Sequence, residues 1–174
     1  MDLISTKIEK KNIYIIELNN PKKRNPLSLE LIRCLQNEFD YIKKNKQIKV
    51  VIIQSTGPSF SAGHDLTEVK KCAKSERKLL NLFKTCSKMM LSIQYLPQPV
   101  IACVDGIAAA AGCQLVASCD LAFASNNSYF QTPGVNIGLF CSTPMVAISR
   151  KISSKDMMYM LLSGEKISAI EAEK

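Results

Sequence analysis

At 174 residues, 47% of them apolar, the chain can bury a sizeable core and reads as one domain, 1–174, with no interdomain linker, fixed-period repeat or low-complexity tract. Lys and Arg exceed Asp and Glu by eight, 23 against 15, which points to polyanionic partners: nucleic acid, an anionic membrane or a phosphorylated cofactor. No run of eighteen apolar residues occurs, and seven cysteines without a CxxC pair, beside the single histidine His64, exclude a zinc site or a disulfide framework and leave reduced, mostly buried thiols.

The N-terminal stretch MDLISTKIEKK carries neither a secretory core nor an Arg/Ser-rich transit pattern, so a soluble intracellular protein is expected. Leu3–Glu9 and Ile13–Leu18, around Lys10-Lys11-Asn12, predict a β-hairpin. A basic loop, Asn19 to Pro26, follows. Ser28 is a suitable N-cap, and Leu31, Ile32, Leu35, Phe39 and Ile42 recur at helical spacing, so the pattern predicts an amphipathic helix to about Lys44. Val50–Gln54 is β-branched and short, a buried strand.

Ser55 to Leu66 is turn-rich, a link entered by a strand and left by a helix. Ser75–Tyr95 carries Leu79, Leu82, Phe83, Cys86, Met89, Met90 and Ile93 on one side and predicts a long helix, closed by Leu96-Pro97-Gln98-Pro99. Pro99–Asp120 is nearly free of charge: an apolar strand, a turn at Asp105-Gly106, then an alanine-rich buried helix. Leu121–Ala124 and Tyr129–Gln131 are short strands about Ser125–Ser128. Thr132–Thr143 is an irregular loop, and Pro144–Lys151 and Ser154–Leu162 are helices. Ser168 opens a capped helix that ends with the chain, as if cut short. Strands alternating with helices predict an α/β domain with a mostly parallel sheet.

Two places invite chemistry. The turn at Gly63-His64 and the helix start at Ala111-Gly112 each follow a predicted strand, and small side chains there let a substrate approach the backbone. Free N–H groups at a helix start favour an anionic oxygen, and a plain core helix fits the same residues. Asp65 reads as a helix N-terminal carboxylate, Glu68 as a solvated one, Asp120 as structural, and Met157, Met158 and Met160 as core or oligomer packing.

Pro21-Lys22-Lys23-Arg24-Asn25-Pro26-Leu27-Ser28, Phe60 to Leu66, Asp105-Gly106 through Gly112-Cys113-Gln114-Leu115, and Cys119-Asp120-Leu121-Ala122 together resemble, in order and spacing, the motifs of the crotonase (enoyl-CoA hydratase/isomerase) superfamily. The resemblance implies an α/β spiral of ββα units, with the C-terminal trimerisation helices truncated. It implies a lyase of fatty acid metabolism that binds acyl-CoA thioesters as a homotrimer or hexamer. Coenzyme A enters as part of the substrate, with no prosthetic group, metal, nucleic acid or membrane partner. The compartment expected is cytoplasmic or mitochondrial. The backbone N–H groups of His64 and Ala111 would hold the thioester oxygen. Arg24 would sit near the CoA phosphates, and Ala62, Asp65 and Leu66 near the adenine.

Hydratases of this family use two glutamates, one to activate water and one to protonate the α-carbon. The matching positions are Gln114 and Gly134, which cannot do that work, and no Asp or Glu lies between Asp120 and Asp156. Cys141 stands where related acyl-CoA decarboxylases place a tyrosine, as a weak acid or nucleophile or as an inert thiol. The readings that follow are an acyl-CoA enzyme with another proton donor, a decarboxylase-like enzyme, and a non-catalytic acyl-CoA binder or regulator.

Overall fold

The computed structural model describes residues 2–174. Its strands are β1 (Ile4–Glu9), β2 (Ile13–Leu18), β3 (Val50–Ser55), β4 (Ser59–Ser61), β5 (Val100–Val104), β6 (Ile107–Ala109), β7 (Leu121–Ala124), β8 (Tyr129–Gln131) and β9 (Ile167–Ser168). Its helices are α1 (Leu29–Lys44), α2 (Leu66–Cys72), α3 (Glu76–Gln94), α4 (Ala111–Ser118), α5 (Ser142–Ile148), α6 (Ser154–Ser163) and α7 (Ala169–Glu173), with 3-10 turns at Pro21–Lys23 and Pro133–Ile137.

The strands form two sheets, ordered β1-β2-β3-β5-β7 and β4-β6-β8-β9. Pairing is parallel except for the β1–β2 hairpin and β8–β9. The order has a simple rule. From β3 onward each pair of consecutive strands puts its first member in the large sheet and its second in the small one, and the following helix returns the chain one place further along both. This is the spiral of ββα units that the resemblance implies, and the mostly parallel pairing expected is divided between two sheets. It also places β7 and β8, the two short strands expected about Ser125–Ser128, in different sheets.

The β-branched run of β3 packs its alternate residues Val51 and Ile53 inward, beside Val100 and Ala102 of β5. Helix α1 starts where Ser28 accepts a hydrogen bond from Leu31 N–H, and buries Leu31, Ile32, Leu35, Phe39 and Ile42 against that core. Each such side chain contributes about 2 kcal/mol of transfer free energy. Leu82, Met89, Met90 and Ile93 of α3 join the same core. A second, smaller cluster of Cys113, Ile148, Met157, Met160 and Leu161 holds α4 to α5 and α6, while Met158 is exposed.

The helix expected directly after Gly106 begins instead at Ala111, because Ile107–Ala109 pair with β4 and β8 as β6. Strand β4 likewise lies inside the expected turn-rich link. Asp120 accepts a hydrogen bond from Val100 N–H at 2.8 Å, the structural part expected of it. All seven cysteines are free; Cys86, Cys113 and Cys119 are buried and the other four half-buried. Among the described residues no helix is long and apolar enough to cross a membrane.

Candidate functional site

In the small sheet β4, β6 and β8 run parallel, so three chain exits stand side by side at their carboxyl ends, where open α/β sheets commonly bind ligands. They are Ala62–Asp65 after β4, Ala110–Ala111 after β6 and Thr132–Gly134 after β8. Register places Ser61 against Ala108 and Ala109 against Gln131, and Ala110 N–H donates to Gln131 O at 2.9 Å. Among the candidate residues the sheet brings together His64, Ala111 and Gly134, with Ala111 in the middle.

The first two exits touch through backbone. A Cβ added to Gly63, whose φ is +88°, would lie 2.8 Å from Ala109 O and 3.2 Å from Ala111 N. A Cβ on Gly112 would lie 2.4 Å from Ser61 O. Only glycine permits either approach. Ala110 has φ +49° and ψ −116°, a conformation unusual for a residue with a side chain, and it costs about 1–3 kcal/mol. That turn aims the start of α4 at the exit of β4. The helix has no side-chain cap. Among the described residues, neither the His64 nor the Ala111 backbone N–H donates a hydrogen bond.

A polar network fixes the β4 exit. Asn25, fully buried, donates from Nδ2 to the carbonyls of Thr56 and Ser59 at 2.9 Å each and accepts from Asn20 N–H through Oδ1 at 2.7 Å. The Ser61 hydroxyl donates to Asn25 O at 2.8 Å and accepts from Gly63 N–H at 3.3 Å. Ala62 N–H donates to Arg24 O, and Leu27 N–H to Gly63 O, at 2.9 and 2.7 Å. Arg24, exposed, is thereby held beside Ala62. Asp65 caps α2, accepting from Thr67 and Glu68 N–H at 2.9 and 3.2 Å, and Leu66 is exposed. Glu68 is not simply solvated, because its carboxylate accepts from Leu29 N–H at 2.8 Å and joins α2 to the start of α1.

Asn25, Ser61 and Glu68 were not singled out from sequence as positioning groups. For Asn25 and Ser61 the signal is a polar residue inside a motif that no turn or surface explains; Glu68 lies outside the motifs and offers none.

The His64 imidazole turns toward Leu27, with Nδ1 3.3 Å from Leu27 O, and meets Phe83 edge-on at 5.2 Å. Burial pushes its pKa below 6.5, and Nε2 is buried without a partner. Gln114 lies in the first turn of α4, 7% exposed, with its carboxamide oxygen also buried and unpartnered. Gly134 is buried in the 3-10 turn after β8. A Cβ there would sit 2.8 Å from Cys141 Sγ and 2.9 Å from Leu139 O. The Cys141 thiol therefore fills the space a side chain at 134 would need, and burial holds its pKa above 9.0. No three His, Cys, Asp or Glu side chains gather as a metal site among the described residues.

A cavity of about 860 Å³ opens on the other flank of α4, lined by Cys113, Val116, Cys119, Ile148, Met160 and Ile167 among others, and by none of the candidate residues.

Human enoyl-CoA hydratase domain-containing protein 3, mitochondrial, is 53% identical over 157 residues, 90% of this chain and 52% of the relative. The Danio rerio protein of the same name is 52% identical over 157 residues, 90% of this chain and 54% of the relative. The chain thus spans about half the length of these relatives. An enoyl-CoA hydratase structure from Mycobacterium smegmatis matches with TM-score 0.96 at 41% identity, covering 99% of this chain and 67% of that one. The human domain-containing protein 3 structure matches with TM-score 0.93 at 49% identity, covering 98% and 67%. The family model described as enoyl-CoA hydratase/isomerase matches residues 8–174, and the chain belongs to that family.

Proposed function

We propose that the chain binds an acyl-coenzyme A thioester, holds its carbonyl oxygen between the backbone N–H groups of His64 and Ala111, and does not run two-glutamate hydration. The observation that carries the reading is the pair of unpartnered N–H groups on adjacent strand exits, kept together by Gly63 and Gly112. Donors aimed at a developing oxyanion in a site partly closed to water are worth more than the same donors in water, and the N-terminus of α4 adds its positive dipole end. Arg24 supplies exposed positive charge for the phosphates beside Ala62 and Leu66.

Proton transfer is the missing half. A carboxamide does not titrate near neutral pH, and Gly134 has no side chain. The Cys141 thiol is held protonated by burial, so it is neither base nor nucleophile. A polarised thioester without a base suits a non-catalytic binder. It also suits decarboxylation of a malonyl-type ester, where loss of CO₂ leaves an enolate on the thioester oxygen and no base is required; a thiol proton then completes the α-carbon. The place of Cys141 Sγ, 2.8 Å from where a Cβ on Gly134 would stand, is what favours keeping that second reading.

Calorimetry with butanoyl-CoA and the carbonyl-free thioether S-butyl-CoA tests the proposal. The thioester should bind about tenfold tighter, a difference of about 1.4 kcal/mol. Ala111→Pro should erase that preference: proline is tolerated at the first helical position but has no N–H to donate. Equal binding of both ligands would refute the carbonyl grip. Turnover of crotonyl-CoA at a rate typical of enzymes, 1 s⁻¹ or more as an order of magnitude, would refute the claim about hydration. The trimer or hexamer, and the mitochondrial compartment suggested by the relatives' names, belong to the same proposal. Light scattering and import of the full-length protein test them.

A further inference from the structure

Much of the chain's positive charge stands at the amino ends of the large sheet's strands, whereas the candidate site stands at the carboxyl ends of the small one. The starts of β2 and β3 lie side by side, Ile13 against Val50, and Lys49 N–H donates to Asn12 O at 2.9 Å. That bond joins the β1–β2 turn to the loop between α1 and β3. The two segments carry Lys10, Lys11, Lys43, Lys44, Lys46 and Lys49, all exposed. Residues 10–12 and 43–49 contain no Asp or Glu, in a chain whose whole net charge is +8. Among the described residues none of the six lysines forms an ion pair. The carboxylates next in sequence are engaged elsewhere: Glu9 pairs with Lys7 at 2.7 Å, Glu38 accepts from the Tyr14 hydroxyl at 2.6 Å, and Asp40 accepts from Gln36 at 3.0 Å.

This end is held in shape. Ile42 and Ile48 are buried on either side of the loop, and Gln98 Nε2 donates to Ile42 O at 3.0 Å. In the turn, Asn12 N–H donates to Glu9 O at 3.2 Å, and both central residues are left-handed, Lys10 at φ +47° and Lys11 at φ +68°. A two-residue turn of that kind favours Asn-Gly, because most side chains strain such a backbone. Two lysines there lower stability with no packing gain, and departures of this kind in folded proteins collect at functional positions. Lys43 and Lys44 have a structural use, since they face the negative end of the α1 dipole. Lys10, Lys11, Lys46 and Lys49 have no helix end to serve.

We propose that this lysine-bearing end is a docking surface for an anionic phospholipid bilayer. The contact is peripheral and independent of the thioester reading. Side-chain chemistry favours a bilayer over nucleic acid. Neither segment contains an Arg, the residue suited to bidentate contact with phosphates and base edges, or an aromatic ring on which bases would stack. Lysine is a hydrated point charge on a flexible stem, which suits the diffuse charge of a headgroup layer.

Co-sedimentation of the full chain with vesicles tests the proposal. At roughly 0.1 M salt the chain should partition onto phosphatidylcholine vesicles containing about 30% phosphatidylserine and not onto pure phosphatidylcholine, and about 1 M salt should release it. Each lysine near the surface contributes about fivefold. Lys10→Asn with Lys11→Gly should therefore weaken partition about twentyfold while raising the unfolding temperature, because the turn then has the residues it favours. Lys46→Gln with Lys49→Gln should weaken partition as much and leave the unfolding temperature unchanged. Lys70→Gln with Lys71→Gln removes the same charge from α2, on the candidate-site side, and should change partition less than about twofold. Equal partition onto both kinds of vesicle, or an equal loss from the α2 pair, would overturn the proposal. So would tighter binding to duplex DNA or single-stranded RNA than to the anionic vesicles at the same salt, lost in the same variants, which would assign the surface to nucleic acid.

Discussion

The two exits that flank Ala111 are built in opposite ways. The β4 exit, Ala62–Asp65, is fixed by hydrogen bonds: Asn25, Ser61 and Asp65 each hold at least two, and Glu68 pins the neighbouring helix start. The β8 exit, Thr132–Cys141, has one buried side-chain hydrogen bond, from the Thr132 hydroxyl to Met160 O at 2.8 Å, and then a glycine packed under a thiol. Beyond it Ile137, Leu139 and Phe140 are exposed. The half proposed to grip a carbonyl with backbone has tight geometry. The half that would carry a carboxylate has closed over: Cys141 Sγ stands where a side chain at 134 would begin.

The largest expected loss breaks the ordered exit. Asn25→Ala removes three side-chain hydrogen bonds inside a fully buried site and puts alanine at a φ of +49° that asparagine tolerates better. It should cost about 4 kcal/mol, since it leaves Asn20 N–H and two carbonyls short of partners. Urea denaturation measures this, and a loss below about 1 kcal/mol would show that water replaces the network. Gly112→Ala comes next, at about 3 kcal/mol. Its Cβ would fall 2.4 Å from Ser61 O and 2.8 Å from Ser61 Cβ, so α4 must move away from β4. Thioester affinity should fall together with stability, because the same displacement separates the two N–H groups. A variant that is less stable yet binds normally would detach the close approach from the site.

How far these contrasts could be read from the chain follows from the kind of interaction involved. Ser28 as a cap, the apolar spacing of α1 and α3, and the β-branched run of β3 are local signals, and each produced the element it predicted. The capping box at Ser168 did the same, with Glu171 completing it. Strands β4 and β6 could not be read that way: three residues each, they exist because they pair with one another and with β8 across long sequence separations. The same holds for Glu68, whose partner Leu29 lies 39 residues earlier. Gly134 read as a missing glutamate, but the thiol that occupies its Cβ space is a tertiary fact. Family motifs, more than periodicity, pointed to His64 and Ala111.

The β8 exit gives a smaller, more diagnostic effect. Gly134→Ala meets Cys141 Sγ at 2.8 Å and Leu139 O at 2.9 Å. The first contact can yield by rotating a side chain and the second cannot, so about 2 kcal/mol is expected. Adding Cys141→Ala should recover about half of that by removing the sulfur, leaving the clash with the Leu139 carbonyl. Additive costs in the two single variants and the double would mean that thiol and glycine are not coupled. The same logic bears on restoring a hydratase: Gln114→Glu with Gly134→Glu should stay inactive toward crotonyl-CoA, and Cys141→Ala should relieve only the sulfur's share of the crowding at 134.

The smallest effect belongs to the His64 ring, which lies at the ordered exit without joining its network through Nε2. Burial lowers its folded-state pKa below the 6.5 of the free imidazole. Below pH 6.5 the unfolded chain therefore takes up a proton that the folded chain resists, and stability falls with pH until the folded pKa is reached. His64 is the only histidine, and the exposed Glu9 and Glu171, with pKa values lowered from 4.5, titrate below that value. Part of the slope just below pH 6.5 is therefore expected from His64. His64→Phe keeps the backbone N–H and the edge contact with Phe83 while removing the titrating group. It should flatten that slope in denaturation curves collected across the window and leave the thioester-over-thioether preference intact, because the grip proposed for this residue is made by its main chain. An unchanged slope would place the proton elsewhere, and a lost preference would make the imidazole itself part of the carbonyl grip.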